Sequence, residues 1–135
     1  KQPAWCCEEL VWTLSLAPTI KVYSYSRCST CRKALAWLDA NNLTYEVVDI
    51  TTAPPSKELL SLAFERLARR QLLFNTSGQS YRALGAEVVR AMNDDDALAA
   101  LAADGRLIKR PFVALPSGDF LLGFKPEDWN QALLG

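Results

Sequence analysis

The chain has 135 residues, half of them hydrophobic and 22% charged, the composition of one ordinary globular domain rather than two. Fifteen Lys and Arg balance fifteen Asp and Glu, so no basic field draws in nucleic acid or an anionic membrane. There is no histidine, which removes the usual general base, His-based triads and His metal ligands.

The N-terminal stretch "LVWTLSLA" is apolar, but Glu8 and Glu9 precede it where a secretory signal would carry positive charge. No window reaches 18 apolar residues, so no membrane-spanning helix is expected. The four cysteines fall as Cys6-Cys7 and Cys28-x-x-Cys31, not as a disulfide-stapled secreted framework, and a cytoplasmic setting is expected. Residues 1–19 read as an N-terminal extension without an assigned role, and 20–135 as the domain.

"TIKVYSYS" (19–26) is short and rich in β-branched and aromatic residues, which predicts a buried strand. From Cys28 to Ala40 the period changes: Cys31, Leu35 and Leu38 share one face with Ala34 and Trp37, and Arg32, Lys33 and Asp39 take the other. That is an amphipathic helix, stopped by Asn41-Asn42. "LTYEVVDI" (43–50) predicts a second strand, parallel to the first across a βαβ unit.

Pro54-Pro55 breaks the chain, and Ser56 can cap a helix running through "SKELLSLAFERLARR". "NTSGQSYRALG" reads as a polar loop entering a short helix that Gly85 ends. Asp94-Asp95-Asp96 biases the start of the helix "ALAALAA", and "NDDD" reads as a cap rather than a metal site. "RLIKRPFVAL" and "DFLLGF" predict two strands joined by Pro116-Ser117-Gly118, hence an antiparallel hairpin. Pro126, with Glu127 and Asp128, starts a last helix through Leu134.

The two thiols of Cys28-Ser29-Thr30-Cys31 stand where a strand becomes a helix. A thiol is a weak nucleophile until it is a thiolate, and a helix N-terminus favours the anion through unpaired N–H groups and the dipole. Cys28 occupies that start; Cys31 lies one turn in. The first is therefore the candidate nucleophile and the second the candidate resolving thiol, with Arg27 and Arg32 adding local positive charge. A zinc site would need Cys6 and Cys7 as the remaining ligands, and adjacent cysteines lack the knuckle spacing; no metal is expected. Arg110-Pro111, just before "FVAL", suggests a fixed turn compatible with a cis bond. In a thioredoxin-like fold that turn faces the thiols, and Arg110 presents a permanent charge to them.

"YSYSRCSTCRKALAWLDANNLTYEVVDI", "LFNTSGQSYRALG" and "GRLIKRPFVALPSGDFLLGFKPEDW" together resemble the family of glutaredoxin-coupled arsenate reductases and Spx-type regulators, from about Ile20 to Leu134. The resemblance implies a thioredoxin-like (glutaredoxin-like) α/β fold, a mixed four-stranded sheet with a central helical insertion, and a cis proline at Pro111. It implies Cys28, Cys31 and Arg110 as catalytic residues and Arg27, Ser29, Thr30, Pro111 and Lys125 as substrate-binding ones. It implies no bound cofactor, with glutathione, glutaredoxin or thioredoxin as electron donor.

The family's arsenate reductases set three arginines around the oxyanion and usually a serine three positions after the nucleophile. This chain has Cys31 at that position, Asn75 where one arginine is expected and Lys125 where another is. Arsenate reduction is therefore expected to be weak or absent, with turnover of a small disulfide intact. The C-x-x-C pair is what Spx-type regulators carry as a redox switch, and these act through RNA polymerase.

Overall fold

The computed structural model describes residues 19–67 and 69–135. Cys6, Cys7 and all but the last residue of the N-terminal extension lie outside these. Strand β1 (Ile20–Ser24) leads into helix α1 (Ser29–Ala40) and strand β2 (Tyr45–Asp49). β1 and β2 are parallel, in register from Ile20 opposite Tyr45 to Ser24 opposite Asp49, which is the expected βαβ unit. Helix α1 buries Cys31, Ala34 and Leu38, at the three- and four-residue spacing of one face. Asn41 ends it by donating its side-chain amide to the Trp37 carbonyl at 2.9 Å, and Asn42 turns the chain with φ +57°.

The helical block between β2 and β3 is more broken than the sequence suggests. Ser56 caps α2 (Lys57–Arg66), accepting from the Leu59 N–H at 3.1 Å. The helix stops at Arg66 instead of running through the basic residues, and a 3₁₀ turn follows at Arg70–Leu73. Arg70 explains the turn. It pairs with Asp94 at 2.9 Å and also donates to the Val89 and Met92 carbonyls. Helix α3 (Gln79–Leu84) ends at Gly85, whose φ of +95° suits glycine, and α4 (Ala86–Ala91) starts at once. Asn93 caps α5 (Asp94–Ala103), accepting from the Asp96 N–H at 2.7 Å, so the three aspartates fill the first turn.

The expected strand over "RLIKRPFVAL" shrinks to β3 (Phe112–Ala114). Residues 107–109 spend their backbone hydrogen bonds elsewhere: Asn75 donates to Leu107, and Lys109 donates to Leu73 at 2.7 Å. Ile108 makes a single bridge with Phe74. Just before them, Gly105 presses against Ile50, where a Cβ would stand 1.8 Å from the Ile50 carbonyl oxygen. Strand β4 (Phe120–Leu122) pairs antiparallel with β3, and α6 (Pro126–Leu133) closes the chain.

The sheet order is β2-β1-β3-β4, with β3 antiparallel to β1. Core side chains fill both of its faces. Tyr23, Phe112 and Ile50 pack with Leu60 and Leu101 of the insertion; Val22 and Val113 pack with Leu38 and Trp129. Trp129 is 1% exposed, donates its indole N–H to the Gly123 carbonyl at 3.1 Å and meets Trp37 edge-on at 5.9 Å. Among the described residues no helix is long and apolar enough to cross a membrane. The frame is the mixed four-stranded sheet with a helical insertion that the sequence implies, and its parallel β1 and β4 both end at the thiols.

Candidate active site

Cys28 is the N-cap of α1. Its φ and ψ of −92° and 118° are extended, and its carbonyl already accepts the first helical bond, from Arg32 at 3.1 Å. Ser, Thr, Asp or Asn usually stands at such a position, offering an oxygen to the free N–H groups. Here a sulfur does it: Cys28 Sγ accepts from the Cys31 N–H at 3.4 Å. Partial burial pushes the thiol pKa up. The Cys31 N–H, the Cys31 thiol, the Arg110 charge and the Thr30 N–H together outweigh that, and the pKa falls below the ordinary thiol range.

Cys31 differs in every respect. It is 0% exposed, and burial pushes its pKa up. The Tyr25 backbone and the Ser24 side chain offset this in part, while a negative charge on Cys28 adds to it. Of the pair, one thiol is half-exposed and biased to the anion, and the other is enclosed and biased to the neutral form.

Arg110 reaches this corner from the other half of the sheet. The Arg110–Pro111 peptide is cis, as the sequence suggested. Pro111 is buried and anchored by its carbonyl, which accepts from Gly123 N–H at 3.0 Å. The Arg110 guanidinium lies 5.1 Å from the centre of the Tyr25 ring, a cation–π contact that holds it beside the residues leading into Cys28. Tyr25 is itself tied to the nucleophile, its carbonyl accepting the Cys28 N–H at 3.0 Å.

A cavity of about 400 Å³ opens here, lined by Cys28, Thr30, Asn75, Lys109, Arg110 and Lys125 among others. Among the described residues no acidic one lines it. The ion pairs among the described residues belong to Arg66 and Arg70, so among those residues none of the cavity's three cations is in an ion pair. Three segments far apart in sequence, at 28–30, 75–78 and 109–125, converge on one sulfur.

Four of the eight expected residues, Cys28, Thr30, Arg110 and Lys125, line this cavity; Cys31 and Pro111 are buried and do not. Arg27 and Ser29 are exposed and do not line it. Arg32 donates to the Ser26 carbonyl at 2.8 Å, bracing the loop before Cys28; the charge acting on the nucleophile is that of Arg110. Lys109, Ser77 and Gly78 line the cavity without having been singled out. Gly78 was visible in "NTSG", and its role is room: a Cβ there would stand 2.6 Å from the Asn75 side-chain nitrogen.

The family model described as ArsC family matches residues 23–132. A solved structure of "a possible arsenate reductase from Streptococcus mutans UA159" superposes with a TM-score of 0.76 at 38% identity, covering 83% of this chain and 98% of that one. The "Uncharacterized protein YusI" of Bacillus subtilis is 36% identical over 84% of this chain and 97% of its own length. An "Arsenate reductase" of Neisseria meningitidis is 31% identical over 87% and 99%. More distantly, the "Regulatory protein MgsR" of Bacillus subtilis is 25% identical over 78% of this chain and 83% of its own.

Proposed function

Because the chain belongs to the ArsC family, we propose that it is a thiol–disulfide oxidoreductase of arsenate reductase type, with Cys28 as nucleophile, Cys31 as resolving thiol and Arg110 as their electrostatic partner. The observation that carries this reading is the asymmetry of the two thiols: Cys28 caps α1 with its pKa lowered, and Cys31 sits buried behind it with its pKa raised.

The Cys28 thiolate attacks one sulfur of a substrate disulfide. The S–S bond breaks, and its electron pair leaves on the other sulfur, which takes a proton from water. Cys31 then gives its proton to solvent and attacks Cys28 Sγ. This expels the second substrate thiol and leaves a Cys28–Cys31 disulfide. The substrate has gained two electrons; glutaredoxin, thioredoxin or two molecules of glutathione return them to the pair. The high pKa of Cys31 makes it the poorer nucleophile until a mixed disulfide has discharged Cys28, which removes the negative charge that opposes its ionisation. A reducing compartment such as the cytoplasm suits this cycle.

Thr30 and Lys125, with Arg110 anchored by Pro111, would hold the substrate's polar end. An oxyanion such as arsenate spreads its charge over several oxygens and needs several fixed donors. Asn75 offers one neutral amide, and Lys125 a point charge without the bidentate fork of arginine. We therefore assign the wild-type chain weak arsenate reduction beside full turnover of disulfides.

A second reading has the likeness to the regulatory protein MgsR in its favour. In it the same thiol pair is a switch of Spx type and RNA polymerase the partner. Turnover of hydroxyethyl disulfide with glutaredoxin, thioredoxin or glutathione as donor supports the enzyme. Absence of turnover, with RNA polymerase retained by the oxidised protein and released on reduction, supports the switch.

A further inference from the structure

The Cys28 cavity does not end at Lys125. A second cavity of about 390 Å³ shares Lys109, Leu122 and Lys125 with it and runs on along β4. Phe120 and Leu122 pack toward one core cluster and Leu121 toward the other, yet all three line this second cavity. It therefore follows the edge of the strand rather than one face of the sheet. Leu67, Leu72, Asp128 and Trp129 also line it.

β4 is the last strand of the sheet. Leu115 donates to the Asp119 carbonyl, Gly123 donates to that of Pro111, and Val113 stands opposite Leu121. Residues 119, 121 and 123 thus turn their backbone groups toward β3, and Phe120 and Leu122 turn theirs outward. Among the described residues nothing accepts from or donates to those outward groups. Such an edge is a template for an added strand. At about 3.4 Å per residue, the three residues of β4 offer about 10 Å, enough for about three residues of an extended peptide. Where that edge meets the thiol cavity stand Lys109 and Lys125, neither in an ion pair among the described residues.

We propose that the substrate disulfide is carried by an extended, acidic peptide segment that pairs with the free edge of β4, sets a carboxylate between Lys109 and Lys125, and so delivers its cysteine sulfur to Cys28. This rests on the oxidoreductase reading and names its substrate class: a cysteine in a protein strand or tail, rather than a small neutral disulfide or an oxyanion. The exchange is the one already written, with the peptide cysteine as the sulfur attacked.

The test uses the peptide Glu-Val-Glu-Val-Cys as its mixed disulfide with 4-thiopyridine, whose release is followed by absorbance. The controls are the same peptide with lysine for glutamate, the acidic peptide N-methylated at alternate amides, and the 4-thiopyridyl disulfide of 2-mercaptoethanol. With the reduced protein in a single turnover, the acidic peptide is expected to exceed the lysine peptide in second-order rate constant by about tenfold, a typical margin for charge-complementary encounter. N-methylation is expected to lower its rate several-fold in one of the two registers. Leu72→Glu, on the exposed wall of the groove, should slow the acidic peptide and leave the mercaptoethanol disulfide unchanged. Equal rates for acidic, basic and N-methylated peptides, with the small disulfide still turned over, overturn the docking alone. No reaction with any of them, the small disulfide included, overturns the oxidoreductase reading as well.

Discussion

The β1–α1 half of the molecule and the β3–β4 half meet at one cavity and bring different things to it. The first half brings both sulfurs, three residues apart, on a single helix turn. The second brings charge: Arg110 on its cis proline, with Lys109 and Lys125 beside it. The nucleophile is thus activated partly by groups it carries with it, the N–H bonds of its own helix, and partly by a cation that arrives only when the sheet forms. The local part needs α1 alone, whereas the long-range part needs β1 and β3 in register. Chemistry and its tuning are therefore separable by mutation.

The sharpest way to break this comparison is at the nucleophile. Cys28→Ser is expected to cost at least about a thousandfold in disulfide turnover, as loss of a covalent nucleophile does. Cys31→Ser should instead let the first step proceed and accumulate a Cys28 mixed disulfide, visible by intact mass. Equal losses with no adduct in the second variant would remove the division of labour between the thiols.

Next in size is the oxyanion test of the charged half. Losing one charged hydrogen bond typically costs about 1.5 to 3 kcal/mol, roughly ten- to a hundredfold. Asn75→Arg should recover part of that and raise residual arsenate reduction, measured with glutathione and glutaredoxin. Robust arsenate reduction by the wild type, lost in Cys28→Ser but kept in Cys31→Ser, would show that Asn75 and Lys125 suffice as they are.

The long-range charge is worth less. A partly exposed charge pair contributes up to about 1 kcal/mol, about fivefold in rate. Arg110→Ala should slow alkylation of Cys28 at pH 7 by about that factor and leave the α1 cap intact. Tyr25→Leu, which removes the ring under Arg110, should cost about two- to fivefold, in line with about 0.5 to 1 kcal/mol for a cation–π contact at an exposed site. Tyr25→Phe keeps the ring face and should react as the wild type. If phenylalanine fails to restore the rate, the ring is not what holds the arginine.

The same contrast explains what could be read from the sequence. The βαβ unit was legible because its signals are local: a β-branched run, a helical period, two asparagines, a second run. The β3 strand was overestimated because residues 107–109 bond to Leu73 and Asn75, more than thirty positions earlier, a pairing that no local pattern reveals. Helix α4 went unread because it is six residues long and separated from α3 by Gly85 alone. Cys28, Cys31, Arg110 and Lys125 carried motif-level signals. Lys109 did not, since a lysine among apolar residues reads as a solvated side chain until the fold sets it at the thiol. Arg32 misled for the converse reason. It is near Cys28 in sequence, but a carbonyl of the preceding loop holds it.

The central claim is that Cys28 is activated where it sits. The alkylation rate of the Cys31→Ser variant, titrated against pH with iodoacetamide, tests it directly. A lowered pKa means that thiolate persists as the pH falls below the ordinary thiol range, so the midpoint should lie clearly below the value of about 8.5 for free cysteine, and Arg110→Ala in the same background should move it upward. A midpoint at or above 8.5, unmoved by loss of Arg110, would contradict the account.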